Sequence, residues 1–451
     1  MKKKLLVILG AGSSVEQGFP TVVDLNCEVA SWATNYASTK GLPDYYDLLW
    51  KNRANYCSGL PNELKEIVEH RTSPNYERVL GDLQTLMNGV LAAPYGDPLL
   101  RWITKADVFS GLEIEPKDRD LADRSSHRNF HAIEDQLRYL CRCLANEIRV
   151  KSRAFEAELL NAKGTGNFEL YKQLFAGLSE EFEVGVYNLN YDTVALNVLP
   201  DAFVGFDKQA GQFRPSDIFS RNGWSFLYHL HGSVHHRIEI GSRVLESPEF
   251  GPKITWCGNL FKENGNEGWK DADALKTQSD EKRVLLTTAV SGGWKLDQLQ
   301  EEPFQTLYSC LPRHAYEADA ILIGGYGFGD SHINSALTNA LRSKARGVDR
   351  PPVIILGYDK DKRPFATRND SWAKAMSKIL RVSACAVRGP SHHSVEQWTQ
   401  LIGGVVDGEF EQLREQPCAI WNDGFVSACK KKTDQMVKWL SGDSSALSGS
   451  S

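Results

Sequence analysis

The chain has 451 residues, a formal net charge of −5, and a composition that is 41% apolar and 24% charged. That is enough for two or three average domains, or for one large domain with insertions. The mild acidity excludes a global basic field of the kind that binds nucleic acid or an anionic membrane.

The nine cysteines are scattered, with no Cys-x-x-Cys pair. That argues against a zinc ribbon and suits a reducing cytoplasm. Lys2-Lys3-Lys4 precede an apolar run too short for a signal peptide, and no stretch approaches a membrane span. Lys430-Lys431-Lys432 read as a solvated face.

Leu5 to Leu9 read as a buried strand, followed by Gly10-Ala11-Gly12-Ser13-Ser14. A strand and glycine turn running into a helix can aim backbone N–H groups at a phosphate, and glycine lets backbone approach a ligand closely. The strict dinucleotide fingerprint is not met. Val15 stands where a third glycine belongs, the next glycine is Gly18, and no acidic residue closes a second strand. Alone, the turn leaves a nucleotide site and a ligand-free connection equally open. Thr21 and Asp24 make a capping-box pattern, which predicts a helix from Val22 toward Tyr36.

From Gly41 to Phe182 the pattern is mostly helical. Pro61-Asn62-Glu63 open a segment to His70. Pro74 to Glu77 open another, with Val79, Leu80, Leu83, Leu86 and Met87 at helical spacing, where Glu77 favours the first-turn dipole. Pro116 to Arg128 is dense in charge and reads as an exposed loop. Phe130, Ile133, Leu137, Leu140, Leu144 and Ile148 then mark a long amphipathic helix.

Val184 to Val186 form the next strand and lead into Asn190-Tyr191-Asp192. Trp224 to Leu230 form another, ending at His231-Gly232-Ser233. Residues 241–282 read as loops anchored by Trp256 and Trp269. Val284 to Leu286 is a strand candidate and Phe304 to Tyr316 a helix. Ala320 to Ile323 is a strand ending in Gly325-Tyr326-Gly327-Phe328-Gly329-Asp330, followed by a helix through Ile333, Leu337 and Leu341. Val353 to Leu356 is the last clear parallel strand, and Gly442 to Ser451 is a flexible tail.

Strands alternating with helices predict an α/β fold, a doubly wound (Rossmann-like) parallel sheet with a large helical insertion. The expected core is 1–40 with 183–360. The insertion or lid is 41–182, the C-terminal α/β extension 361–441, and the tail 442–451.

Each polar residue has a plainer use. Asn190 and Asp192 suit helix caps. His229 and His231 share a strand face near His235 and His236, but no Cys or acidic residue is spaced to complete a metal site, and no metal is expected. His127 and His131 fit a solvated helix face.

Taken together, the four strand ends resemble the NAD-binding domain of sirtuins. Gly10-Ala11-Gly12-Ser13-Ser14, Gly18-Phe19-Pro20, Asn190-Tyr191-Asp192 and His231-Gly232 match motifs of that family in order. The resemblance is closer to divergent sirtuin-like proteins of bacterial phage defence, through Leu230-His231-Gly232-Ser233, Gly325 to Ile333, and Asn75-Tyr76-Glu77. Thr21-Val22-Val23 replaces the deacetylase Asp-Phe-Arg, and the interval after the histidine holds only Cys257 and Cys310 rather than a four-cysteine zinc module. The resemblance therefore implies NAD⁺ as substrate and an NAD⁺ glycohydrolase, releasing nicotinamide and ADP-ribose as an anti-phage abortive-infection effector.

It further implies His231 as general base, Asn190 orienting ribose and water, and Asp192 binding the carboxamide or positioning its neighbours. Gly10, Ala11, Gly12 and Ser14 would cradle pyrophosphate, Pro20 and Thr21 would continue the loop, and Gly325, Tyr326, Gly327 and Phe328 would meet adenosine. The alternatives are a non-hydrolysing NAD- or nucleotide-sensing scaffold subunit and a nuclease subunit of a defence complex. Implied partners are copies of the same chain in a homo-oligomer, a HerA-type ATPase or an Argonaute-type protein, with no membrane, and with nucleic acid reached only through a partner.

Overall fold

Leu5 to Leu9 are fully buried because β1 (Lys3–Leu9) is covered on both faces, as a central strand of a parallel sheet must be. The computed structural model describes residues 2–58, 75–92, 119–161, 166–240, 252–258, 260, 273–277, 283–290, 295–343, 350–360, 365, 371–380, 410–413, 417–443 and 446. By internal contact the chain forms two units. One holds 1–19, 151–233 and 303–451; the other holds 20–150 and 234–302.

The first unit carries a seven-stranded sheet. Its strands are β1, β2 (Phe182–Asn188), β3 (Phe226–His229), β8 (Ala320–Gly324), β9 (Val353–Leu356), β10 (Glu411–Leu413) and β11 (Cys418–Trp421). The order is β10-β11-β9-β8-β1-β2-β3, parallel except for β10 at the edge. Counted along the chain, the six parallel strands run 3-2-1-4-5-6, the doubly wound Rossmann order, so the direction of winding reverses at β1.

Register then fixes the site. Leu9 pairs with Asn188 on one side and Gly324 on the other, and Asn188 pairs with His229. One row of the sheet therefore ends β1, β2, β3 and β8 together, and the four polar turns leave from neighbouring positions at its carboxyl edge.

The second unit packs α1 (Val22–Lys40), α2 (Tyr45–Ser58), α3 (Tyr76–Ala92) and the first part of α4 (Arg119–Leu160). Leu25, Val29 and Ala33 of α1, Val79, Leu83 and Met87 of α3, and Ile133, Leu137, Leu140 and Leu144 of α4 form one buried cluster. The capping box at Thr21 is formed: its hydroxyl accepts the Asp24 N–H at 3.2 Å, and the Asp24 carboxylate accepts the Thr21 N–H at 2.8 Å.

Three expectations need correction. The loop expected at Pro116 to Arg128 is helical from Arg119 onward, because its Arg, Leu and Ala residues favour helix and charge alone does not interrupt one. The loops expected across 241–282 include strands. β4 (His236–Ile240) pairs antiparallel with β5 (Pro252–Trp256), and β6 (Asp273–Thr277) with β7 (Arg283–Thr287). Trp256 does anchor its hairpin, stacking on His235 at 4.9 Å. Finally, Val353 to Leu356 is not the last parallel strand, since the short buried run Cys418–Trp421 pairs with it in register. The helix expected to His70, Trp269 and most of the tail lie outside the described residues. No helix among the described residues is long and apolar enough to cross a membrane.

α5 (Gly166–Glu181), α6 (Val194–Val198), α7 (Pro215–Ser220), α9 (Phe304–Glu317), α10 (Ser331–Ser343), α11 (Ser371–Leu380) and α12 (Phe425–Leu440) complete the first unit, and the short α8 (Lys295–Gln298) belongs to the second. Glu16 caps α12 by accepting the Val426 N–H at 2.8 Å.

Candidate functional site

The turn after β1 is two short 3-10 turns, Ala11–Ser13 and Val15–Gln17, and not the immediate start of an α-helix. Its backbone is committed internally. Gly10 N–H donates to Gly324 O at 2.9 Å and Gly12 N–H to Gly325 O at 3.0 Å, while Ser13 and Ser14 N–H close onto Gly10 and Ala11. A Cβ on Gly10 would lie 2.7 Å from Gly325 O. One on Gly325, whose φ is +62°, would lie 2.1 Å from Ser13 N. These glycines exist so that two turns can interlock. The N–H groups of Gly10 and Gly12, expected to cradle a pyrophosphate, are spent on that contact.

The interlocked turns present acceptors inward, and Asn190 fills them. Its amide nitrogen donates to Gly10 O at 3.0 Å, Ser14 Oγ at 3.0 Å and Ser13 Oγ at 3.2 Å. Its own N–H donates to Asn188 Oδ1 at 3.2 Å. Among the described residues nothing donates to Asn190 Oδ1. The side chain was expected to donate and accept toward a ligand; its donor half is committed, and its acceptor half is what remains.

Asp192 is 4% exposed and accepts the Val194 N–H at 2.9 Å in an Asx-type turn one residue ahead of the N-cap of α6, which is Thr193. Burial raises its carboxyl pKa to about 6, against hydrogen bonds from Val194 N–H and Ser14 that pull it down. Tyr171, fully buried on α5, hydrogen-bonds Ser13 and supports the same turn.

β3 delivers the histidines. His229 Nδ1 lies 3.4 Å from both Asn188 Nδ2 and Asn190 O, which ties the ends of β2 and β3. His231 is 3% exposed, with Nε2 3.8 Å from Asp330 Oδ1. The ring of His332 lies 6.0 Å from that of His231 and edge-on to Tyr308 at 5.1 Å. Donor atoms of His231, Asp330 and His332 all fall within 4.8 Å of one another. The sequence offered no acid spaced to join His231; the fold supplies Asp330 from the turn after β8. His235 and His236 belong to the other unit, against Trp256, and His131 faces solvent there beside Glu134. The side chain of His127 lies outside the described residues.

The turn after β8 uses its aromatic rings internally. Tyr326 and Phe328 are buried, 4.9 Å apart, and Phe328 packs on Trp372 at 5.7 Å. Phe328 takes φ +54°, held by Asn334 Nδ2 donating to its carbonyl at 2.8 Å. Gly327 and Gly329 of this turn are exposed, while Tyr326 and Phe328, expected with them to meet adenosine, are buried. Ala11 is exposed on the opposing turn. Pro20 and Thr21 belong to the second unit, where Thr21 caps α1. Glu77, in that unit too, pairs with Lys295 at 2.9 Å.

The first unit thus brings Gly10 to Ser14, Asn190, Asp192, His231 and Gly325 to Asp330 to one sheet edge. Sequence reasoning passed over Ser13, Asn188, Tyr171, Asp330 and His332. Asp330 and His332 lay inside a motif already singled out; Tyr171 had no local signal. The groups gathered at this edge are an open amide oxygen, a carboxyl whose pKa burial raises to about 6, and a buried imidazole.

Residues 184–379 match the family model of the SIR2-like domain. That span carries the turns after β2, β3 and β8, and it supports a sirtuin-like family. A SIR2-like domain is compatible with NAD-dependent chemistry. No curated protein matches the chain significantly.

Proposed function

We propose that this chain is an NAD⁺ glycohydrolase that releases nicotinamide and leaves ADP-ribose. One observation carries the reading. Asn190 spends its amide hydrogens on Gly10 and the serines and keeps Oδ1 open, at the sheet edge where Asp192 and His231 follow neighbouring strands.

Breaking the nicotinamide–ribose bond develops positive charge at the anomeric carbon, as in other glycosyl transfers. The open Asn190 oxygen accepts from a ribose hydroxyl or the attacking water and holds it in line. Asp192, with its pKa raised to about 6, is mostly ionised at neutral pH, and its charge in a desolvated site favours the cationic centre. His231 takes the proton from the ribose hydroxyl or water. The product is ADP-ribose, with nicotinamide as leaving group.

In the cell we place this activity in anti-phage abortive infection, on the strength of the sequence resemblance. The acting form is a homo-oligomer or a complex with an ATPase or Argonaute-type partner. Nicotinamide release, followed by chromatography on the purified chain alone and with the product of its genomic neighbour, tests the chemistry. Asn190→Ala and His231→Ala should each lower the rate about 100-fold or more. Activity that survives both substitutions removes these residues from the reaction.

A further inference from the structure

We infer that His231, Asp330 and His332 form a binding site for a single divalent transition-metal ion of the zinc class, and that the ion holds the chain inactive. Two imidazoles and one carboxylate are a donor set such ions favour, leaving a further coordination position open.

The spacing fits. Zinc bonds to nitrogen and oxygen are about 2.1 Å long, so donors around one ion lie roughly 3.5 Å apart. His231 Nε2 and Asp330 Oδ1 are already 3.8 Å apart, and all three donors fall within 4.8 Å. Small side-chain rotations close the remainder.

The supports are built in. Asp330 is fixed by the Tyr326 hydroxyl, which accepts its N–H and donates to its carbonyl, both at 3.2 Å. His332 lies in the first turn of α10, steadied by the Tyr308 ring. His231 is buried at the end of β3. Two pieces of chain distant in sequence, the turn after β3 and the start of α10, thus converge on one point, the arrangement a metal stabilises by linking them.

The consequence follows from the shared ligand. A metal on Nε2 occupies the lone pair that would accept a proton there. The inhibitory half of this inference rests on the NAD-cleaving reading; the binding half does not.

The test uses the full chain, stripped with a chelator and titrated with Zn²⁺ by calorimetry. Wild type should bind one equivalent that His332→Ala weakens at least tenfold. Asp330→Asn provides a second variant, and circular dichroism checks the fold of both. Co²⁺ in place of Zn²⁺ should give a visible ligand-field band in wild type, absent from His332→Ala. In the same samples micromolar Zn²⁺ should suppress nicotinamide release by wild type, a chelator should restore it, and His332→Ala should escape suppression. Equal Zn²⁺ affinity in wild type and both folded variants overturns the site, whether or not NAD⁺ is cleaved. One equivalent bound and lost in the variants, with no nicotinamide released under any condition, sustains the site and overturns the NAD⁺ reading instead.

Discussion

The Asn190 amide nitrogen donates to the Gly10 carbonyl oxygen at 3.0 Å, tying the end of β2 to the turn after β1. The bond is buried, and the Ser13 hydroxyl donates to the same carbonyl at 2.8 Å. Asn190 is therefore a structural brace as well as a candidate reacting group. Asn190→Ala should lower stability by about 1–3 kcal/mol, because it leaves buried polar atoms short of a partner. Urea denaturation measures it. Ser14→Ala, which removes one hydroxyl from the same cluster, should cost less, about 1 kcal/mol.

The interlock of the two glycine turns predicts a sharp contrast within one loop. Gly325→Ala puts a Cβ 2.1 Å from Ser13 N at φ +62°, with backbone on the other side that cannot yield. It should cost about 3 kcal/mol or more. Gly327→Ala and Gly329→Ala meet nothing within 4 Å. They should stay within about 0.5 kcal/mol of wild type. Thermal melts of the three variants give the comparison.

Two buried groups in the first unit oppose each other in their response to acid. Burial pulls the His314 imidazole down to about 4, and its Nδ1 lies 2.8 Å from the Tyr187 hydroxyl. Between pH 6.5 and 4 the unfolded chain holds a proton on this histidine that the folded chain does not, so acid erodes stability there. Asp192, raised to about 6, does the reverse: between pH 6 and 4 the folded chain holds the extra proton, so acid adds stability. Each effect is worth about 3 kcal/mol across its window, and the two offset one another. Asp192→Asn should therefore be more stable at pH 7 and should lose stability more steeply from pH 6 to pH 4 than wild type. Denaturant titrations at several pH values read both slopes.

In the second unit, Asp273 is wholly buried and held by two arginines on α4. Arg138 Nε lies 2.6 Å from Oδ2, and Arg142 binds Oδ1. The arginines are about a third exposed and can recover water when the carboxylate goes; the carboxylate has no such recourse. Asp273→Ala should cost about 3 kcal/mol. Arg142→Ala should cost less, because Arg138 remains. Chemical denaturation of the two variants ranks them.

Much of the sheet was legible because its strands are short continuous apolar runs, and each of the four turns carries its own local pattern. Asn190 and Asp192 were readable as strand-end residues for that reason. What was not legible depends on register. Nothing near Gly10 announces that Gly325 is the backbone it must admit. Nothing near His231 announces Asp330 and His332, because neighbours in β-strand space are set by pairing and not by spacing along the chain. Tyr326 and Phe328, which the resemblance turned toward adenosine, are core residues in the fold, and Phe328 packs on Trp372. Charge misled at Arg119 to Arg128, where a polar stretch is helical. Cys418–Trp421 escaped because four apolar residues are too few to be distinguished from a buried turn.

The mutual need of Gly10 and Gly325 also sets a schedule for synthesis. On the ribosome, β1, β2 and β3 emerge well before β8, so the first turn, Asn190 and His231 exist for many seconds without the backbone that Gly10 and Gly12 bond to. A chain truncated anywhere before Gly324 lacks the partner carbonyls that close the turn after β1. Incomplete translation products would thus carry the residues of the site without its assembled form.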